Sequence, residues 1–273
     1  MRKFASKFFS SAALMLMLSF SAQAADPAKL PAKEKFHLYL LVGQSNMAGR
    51  GKVEAGDKKP VANLLMLDKE NNWVPAVDPL HFDKPGAGVG PGRTFGIEVA
   101  AADPTVTIGL IPCAAGGSPI DSGKPGAYHG QTKSHPWDDA IKRAKLAQEK
   151  GVIKGILWHQ GESDSGDKFA AAYAGKLKDL VLAFRKELNT DAPFIVGQLG
   201  EFEGKPWSDG YKLVDKAHRE LPQQLPNVAF VEAKGLGHGG DKLHFDNKAQ
   251  REFGKRYAAA YFTMLKAADK KSK

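Results

Sequence analysis

The sequence predicts an α/β protein, a mainly parallel sheet of five to six strands covered by helices on both faces. Three observations carry that prediction. Apolar runs of strand length recur along the chain, helical patterns separate most of them, and polar, glycine-rich segments fall where the runs end. Alternation of this kind implies βαβ units, because parallel neighbours need a crossover and a helix is its usual form.

The elements follow in order. His37 to Val42 is the first apolar run and Leu64 to Leu67 the second. The glycine-rich stretch Gly86 to Gly92 reads as a loop before a helix over Thr94 to Ala102, which leads to the run Val106 to Ile111. A helix over Trp137 to Lys150 precedes the run Ile153 to Trp158. The clearest helix spans Phe169 to Leu188: Leu177, Leu180, Val181, Phe184 and Leu188 recur at helical spacing, with lysines and acids on the other face. The run Phe194 to Leu199, a helix over Tyr211 to Glu220, the run Val228 to Val231 and a helix over Lys248 to Lys266 complete the pattern. The stretch from Ala115 to Ser134 is too long for a plain connector and reads as a wall of a site.

Composition bounds the class. At 273 residues, with 42% hydrophobic and 25% charged residues, the chain has ordinary globular values, which excludes disordered and fibrous classes. Arg2, Lys3 and Lys7 precede an apolar stretch from Phe8 to Phe20 and then Ala22-Gln23-Ala24, the pattern of a cleaved secretory leader over residues 1–24. That stretch falls short of the roughly 20 residues that span a bilayer, so the expectation is export to the periplasm or beyond, with no stable membrane anchor. A linker over 25–34, one domain over 35–266 and a basic tail over 267–273 complete the division. The formal charge of +9 stays positive without the leader, but no run interleaves Lys or Arg with aromatics, so no nucleic-acid partner is expected. Cys113 is the only cysteine, which excludes an internal disulfide, and its apolar neighbours make it a small buried hydrophobe.

The polar segments at strand ends hold the chemistry. Gly43-Gln44-Ser45-Asn46-Met47 follows the first run and sets Ser45 at the sheet rim. A serine hydroxyl needs a base to become a nucleophile. Asp241-Lys242-Leu243-His244 offers one, with a carboxylate three residues upstream to hold the imidazole tautomer. Acyl transfer also needs donors for the developing oxyanion, each worth about 10²–10³ in rate, and Gly116-Gly117 or the Gln160 amide can supply them.

Read together, Gly43 to Arg50, Ala115 to Ser118, Trp158 to Asp164 and Asp241 to Phe245 resemble the ordered blocks of the SGNH hydrolases. The match is to the carbohydrate acetylesterase branch that includes sialate O-acetylesterase and acetylxylan esterase, from about Phe36 to about Ala260. The resemblance implies a flavodoxin-like three-layer αβα sandwich with Ser45 as nucleophile, His244 as base and acid, and Asp241 as its orienting partner. It further implies an oxyanion hole from the Ser45 N–H, a glycine N–H of Gly116 or Gly117, and Gln160, an acetylated saccharide as substrate, and no cofactor. Gln44, Arg93, His159, Glu162 and Asp164 are candidates to hold sugar hydroxyls.

Other readings are weaker. An α/β-hydrolase elbow needs glycine where Met47 stands. Gly86 to Gly92 contains no G-x-G-x-x-G, and Pro125 breaks a phosphate loop at Gly123-Lys124. His129 and His135, or His238 and His244, lack a third metal ligand at a diagnostic spacing. Two alternatives stay open: a glycosidase using Glu162 and Asp164 as its carboxylate pair, and a carbohydrate-binding protein without turnover.

Overall fold

The structure, a computed structural model, describes residues 30–271, so the expected leader and the first half of the 25–34 linker lie outside the described residues. The linker's end is already part of the fold: Leu30 packs on the core and Lys33–Lys35 form a 3-10 turn.

The strands are β1 (Phe36–Gly43), β2 (Leu64–Leu67), β3 (Trp73–Pro75), β4 (Thr107–Pro112), β5 (Val152–His159), β6 (Phe194–Gly197) and β7 (Val228–Val231). They form one sheet in the order β3-β2-β4-β1-β5-β6-β7, parallel except for β3. Seven strands replace the five to six expected. The missed strand, β3, has only three residues, too few to show a period. A local turn makes it: Asp68 accepts the Asn72 N–H at 2.7 Å while Asn71 takes φ 63°, and Trp73 then packs edge-on to Phe36 at 4.6 Å.

The helices are α1 (Ser45–Ala48), α2 (Pro91–Ala102), α3 (Pro136–Gln148), α4 (Asp167–Leu188), α5 (Asp209–Gln224) and α6 (Asn247–Lys271). Helix α2 begins inside the stretch read as a loop, because Pro91 at its first position is already set to a helical φ. Helix α6 runs on through Lys271, into the stretch expected as a basic tail, because Ala267, Ala268 and the lysines up to 271 contain no breaker. Among the described residues no helix is long and apolar enough to cross a membrane.

Strand β1 explains the layering. Successive side chains point to opposite faces, so Leu38, Leu40 and Val42 enter one core with α3, α4 and α5, while Tyr39 and Leu41 enter another with α2 and α6. Burying one such side chain contributes about 1.5–3 kcal/mol, which is why β1 is apolar on nearly every residue. The result is a three-layer αβα sandwich. The chain places β2 and β4 on one side of β1 and then crosses to β5 on the other, so the strand order reverses at β1. In open parallel sheets the crevice beyond the carboxyl end of that switch point is where ligands bind.

Candidate active site

Three loops meet there, from β1, β4 and β5, joined by the segment after β7. Strand β1 ends at Gly43 with φ 131°, where a Cβ would fall on the His159 carbonyl. The Gln44 N–H donates to the His159 oxygen at 2.9 Å, and the chain turns into α1 at Ser45.

His244 Nε2 stands 2.9 Å from Ser45 Oγ, and His244 Nδ1 stands 2.6 Å from Asp241 Oδ2. The spacing of Asp241 and His244 has a local cause. Asp241 Oδ1 accepts the backbone N–H groups of Leu243 at 2.9 Å and His244 at 2.8 Å, which folds the segment so that the second carboxylate oxygen meets the imidazole. Burial alone would raise the Asp241 carboxyl, but the His244 N–H, the His244 ring and the Leu243 N–H hold it down at about 2. It is an anion wherever the protein is folded at ordinary pH. His238 is engaged elsewhere: its Nδ1 accepts from Gly240 N at 2.9 Å and Lys242 N at 3.3 Å.

Asn46, which sequence reasoning treated only as part of a block, organises the centre. Its Oδ1 accepts the Phe245 N–H at 3.1 Å, and its Nδ2 donates to Leu243 O at 3.1 Å and to Glu162 Oε1 at 2.6 Å. Both neighbours of His244 are thus tied to the residue that follows Ser45. Gln250 Nε2 in turn holds Asn46 O at 3.1 Å. The signal in the sequence was an amide side chain next to Ser45, but its partners lie 116 and 197 residues away.

Several expected contacts are corrected by burial. Glu162 faces Asn46 and the wholly buried His159, whose Nε2 is 3.6 Å from Glu162 Oε1, and neither side chain opens to solvent. Burial would push the Glu162 carboxyl up, and its contacts with His159 and Asn46 bring it below the usual carboxylate range. Asp164 Oδ2 accepts Ile120 N at 2.8 Å and Gln160 Nε2 at 2.5 Å, beneath the loop it braces. Arg93 donates to Ala76 O at 3.2 Å and Lys59 O at 2.5 Å and stays inside the fold. None of these four is placed to hold a sugar, and Glu162 with Asp164 is not a carboxylate pair across an open site.

The oxyanion donors also rearrange. Gln160 is 1% exposed, and its Nε2 is occupied by Asp164, Ser118 O and Gln44 Oε1 while its Oε1 accepts from Tyr173. It is a brace rather than a free donor. Gly116 N donates to Asp83 Oδ2 at 2.8 Å, whereas no acceptor among the described residues takes the Gly117 N–H. Gln44 has its hydrogen bonds on Oε1, which accepts from Gly161 N, Ser163 N and Gln160 Nε2. Two backbone donors fix that oxygen's identity and leave the amide Nε2 of Gln44, the residue before Ser45, as a donor without an acceptor among the described residues.

The family model for carbohydrate esterases of the sialic acid-specific acetylesterase type matches residues 35–263. Probable carbohydrate esterase At4g34215 of Arabidopsis thaliana is 33% identical over 248 residues, 83% of this chain and 90% of that protein. Its X-ray structure superposes with a TM-score of 0.73 at 32% identity, covering 83% of this chain and 98% of that one. NanS shares the fold with a TM-score of 0.70 at 17% identity, over 87% of this chain and 100% of that one. So does XAC1771, a carbohydrate acetylesterase from Xanthomonas citri, with 0.63 at 22% over 82% of this chain and 55% of that one. A serine, an imidazole and a carboxylate in hydrogen-bonded series at the switch point of an αβα sandwich, and a family match across nearly all of that sandwich, agree: the chain belongs to the sialic acid-specific acetylesterase family of carbohydrate esterases and is a carboxylic ester hydrolase.

Proposed function

We propose that the protein is an exported serine esterase that removes O-acetyl groups from carbohydrate hydroxyls through an acyl-enzyme intermediate. The observation that carries the mechanism is the continuous series Ser45 Oγ, His244, Asp241 at 2.9 and 2.6 Å. Ser45 Oγ attacks the ester carbonyl as His244 Nε2 takes its proton, and Asp241 supports the imidazolium that forms. The oxyanion lies against the Ser45 N–H, the Gly117 N–H and the Gln44 amide, donors with no competing acceptor among the described residues. As the tetrahedral intermediate collapses, His244 returns the proton to the departing sugar oxygen. Water then attacks the acetyl-serine ester with His244 again as base, which releases acetate and restores Ser45.

Family membership supports the carbohydrate ester, and the leader pattern at residues 1–24 supports export. The test is acetate release from an aryl acetate, acetylated xylan, O-acetylated sialic acid and simple sugar acetates. The expected result is release from an aryl acetate and at least one saccharide, abolished in Ser45→Ala. Turnover by Ser45→Ala near the parent rate rejects the nucleophile. Preference for an octanoyl ester with no acetate from any saccharide rejects the carbohydrate assignment and leaves the triad standing.

A further inference from the structure

Ser45 and His244 stand at the sheet rim, with the His244 side chain 24% exposed, so the sugar that carries the ester must be held by surfaces beside them. Two recesses adjoin. The one between Glu162, Trp207 and Leu243 holds about 20 Å³, room for a water molecule and no more. The other, beyond β4, holds about 350 Å³, within the ~300–1,000 Å³ of ligand sites. Asp83 and Ala115 line it; Asp83 is the acceptor of the Gly116 N–H, and Ala115 is two residues from Gly117. Through Ala115 and Asp83 this cleft borders the loop that carries Gly117. It shares Asn71, Lys142 and Arg143 with a second recess of about 360 Å³ that extends to Glu149. The two make a groove along α3, a helix of 13 residues and so roughly 20 Å long.

The groove has a built wall. Phe82 is 45% exposed, and the Arg143 guanidinium sits 5.0 Å from its ring centroid, propping one face. Arg143 is itself fixed by Leu67 O at 2.8 Å, Asp68 O at 2.9 Å and Asn71 Oδ1 at 2.7 Å. In the same lining the buried His81 Nε2 and Arg143 Nε have no partner among the described residues. A rigid aromatic face with polar groups around it suits a pyranose, whose axial C–H groups form an apolar face and whose hydroxyls ring its edge.

We infer that this groove is an extended subsite for the glycan chain that carries the ester, with Phe82 as the platform for the sugar next to the reacting one. The inference rests on the carbohydrate reading above and adds that the substrate is an oligosaccharide rather than a single sugar. The experiment compares the parent, Phe82→Ala, Phe82→Tyr and Lys142→Ala on an aryl acetate, an acetylated monosaccharide, acetylated xylo-oligosaccharides and O-acetylated sialyl oligosaccharides. The parent should prefer an oligosaccharide to the monosaccharide in kcat/KM. Phe82→Ala should lose about five- to tenfold on that oligosaccharide, mainly through KM, and Lys142→Ala a smaller share, while both keep the aryl acetate rate and Phe82→Tyr keeps both. Equal loss on the aryl acetate, or none on the oligosaccharide, overturns the subsite and leaves the carbohydrate reading intact. A parent that hydrolyses the aryl acetate but no saccharide removes both.

Discussion

Asn46 makes the distance between Ser45 and His244 a property of one side chain. Removing it in Asn46→Ala leaves the triad residues in place chemically but frees Leu243 and Phe245, the neighbours of the imidazole. A displacement of about 1 Å costs on the order of 10²-fold in rate, so kcat on an aryl acetate should fall by about 10- to 100-fold with KM little changed. Asn46→Asp sets an oxygen against both Leu243 O and the Glu162 carboxylate, and adding Glu162→Gln should recover part of the loss by returning a donor to that contact. No recovery in the double variant would separate Glu162 from the bracket. At Asp241 the folded pKa, about 2, lies below the unfolded value, so its contribution to stability is full above about 3.9 and is lost only as pH falls towards 2. Asp241 should therefore stay ionised on acidification from pH 8 to 4, and Asp241→Asn should lower kcat/KM by a similar factor throughout that range. A parent-to-variant ratio that collapses towards one between pH 6 and 4, measured on an aryl acetate, would contradict the assignment.

The elements that carry these residues were readable from their periods, and the exceptions have local causes. Strand β3 is three residues held by a turn, and the first turn of α2 hides in a glycine-rich stretch that proline makes helical. The packing of α2 on α6 was not visible at all. Gly254 of α6 approaches so closely that a Cβ would press on Pro91 O and Phe95 N. The same helix positions Gln250 on Asn46 O. Gly254→Leu should cost about 1–3 kcal/mol as overpacking, seen as a lower denaturant midpoint with unchanged m, and should lower activity through Gln250. Gly175 on α4 has nothing within 4 Å of such a Cβ, so Gly175→Ala should be stabilising or neutral in the same assay.

Over the whole molecule, buried groups set how stability responds to pH: His81 and His218, pushed down to about 4 and about 3 by burial, make it rise with pH below about 6.5, and one buried acid acts the other way. Burial pushes the Asp78 carboxyl up to about 7, against the pull of Arg93, and its Oδ1 has no partner among the described residues. The folded state then holds a proton that the unfolded chain has released, so the contribution of Asp78 to stability falls as pH rises from about 4 to about 7. Asp78→Asn should remove that slope and raise Tm at pH 8 by at least about 2–4 °C relative to the parent, the shift that 1 kcal/mol produces in a domain of this size, with little gain at pH 4. A Tm difference independent of pH would show that the aspartate does not titrate in this window. The same scale separates what the sequence alone determined from what folding decided. The order of strands and helices, and the coupling of Asp241 to His244 three residues on, arise within short stretches, where hydrophobic period and turn chemistry act. Gln160, Glu162 and Asp164 lie within five residues of one another, yet that each is taken up inside the fold was settled by Ser118, Asn46 and Ile120, 42, 116 and 44 residues distant. A polar group in a loop takes whichever partner the tertiary structure brings to it, because burial without one costs more than any local preference.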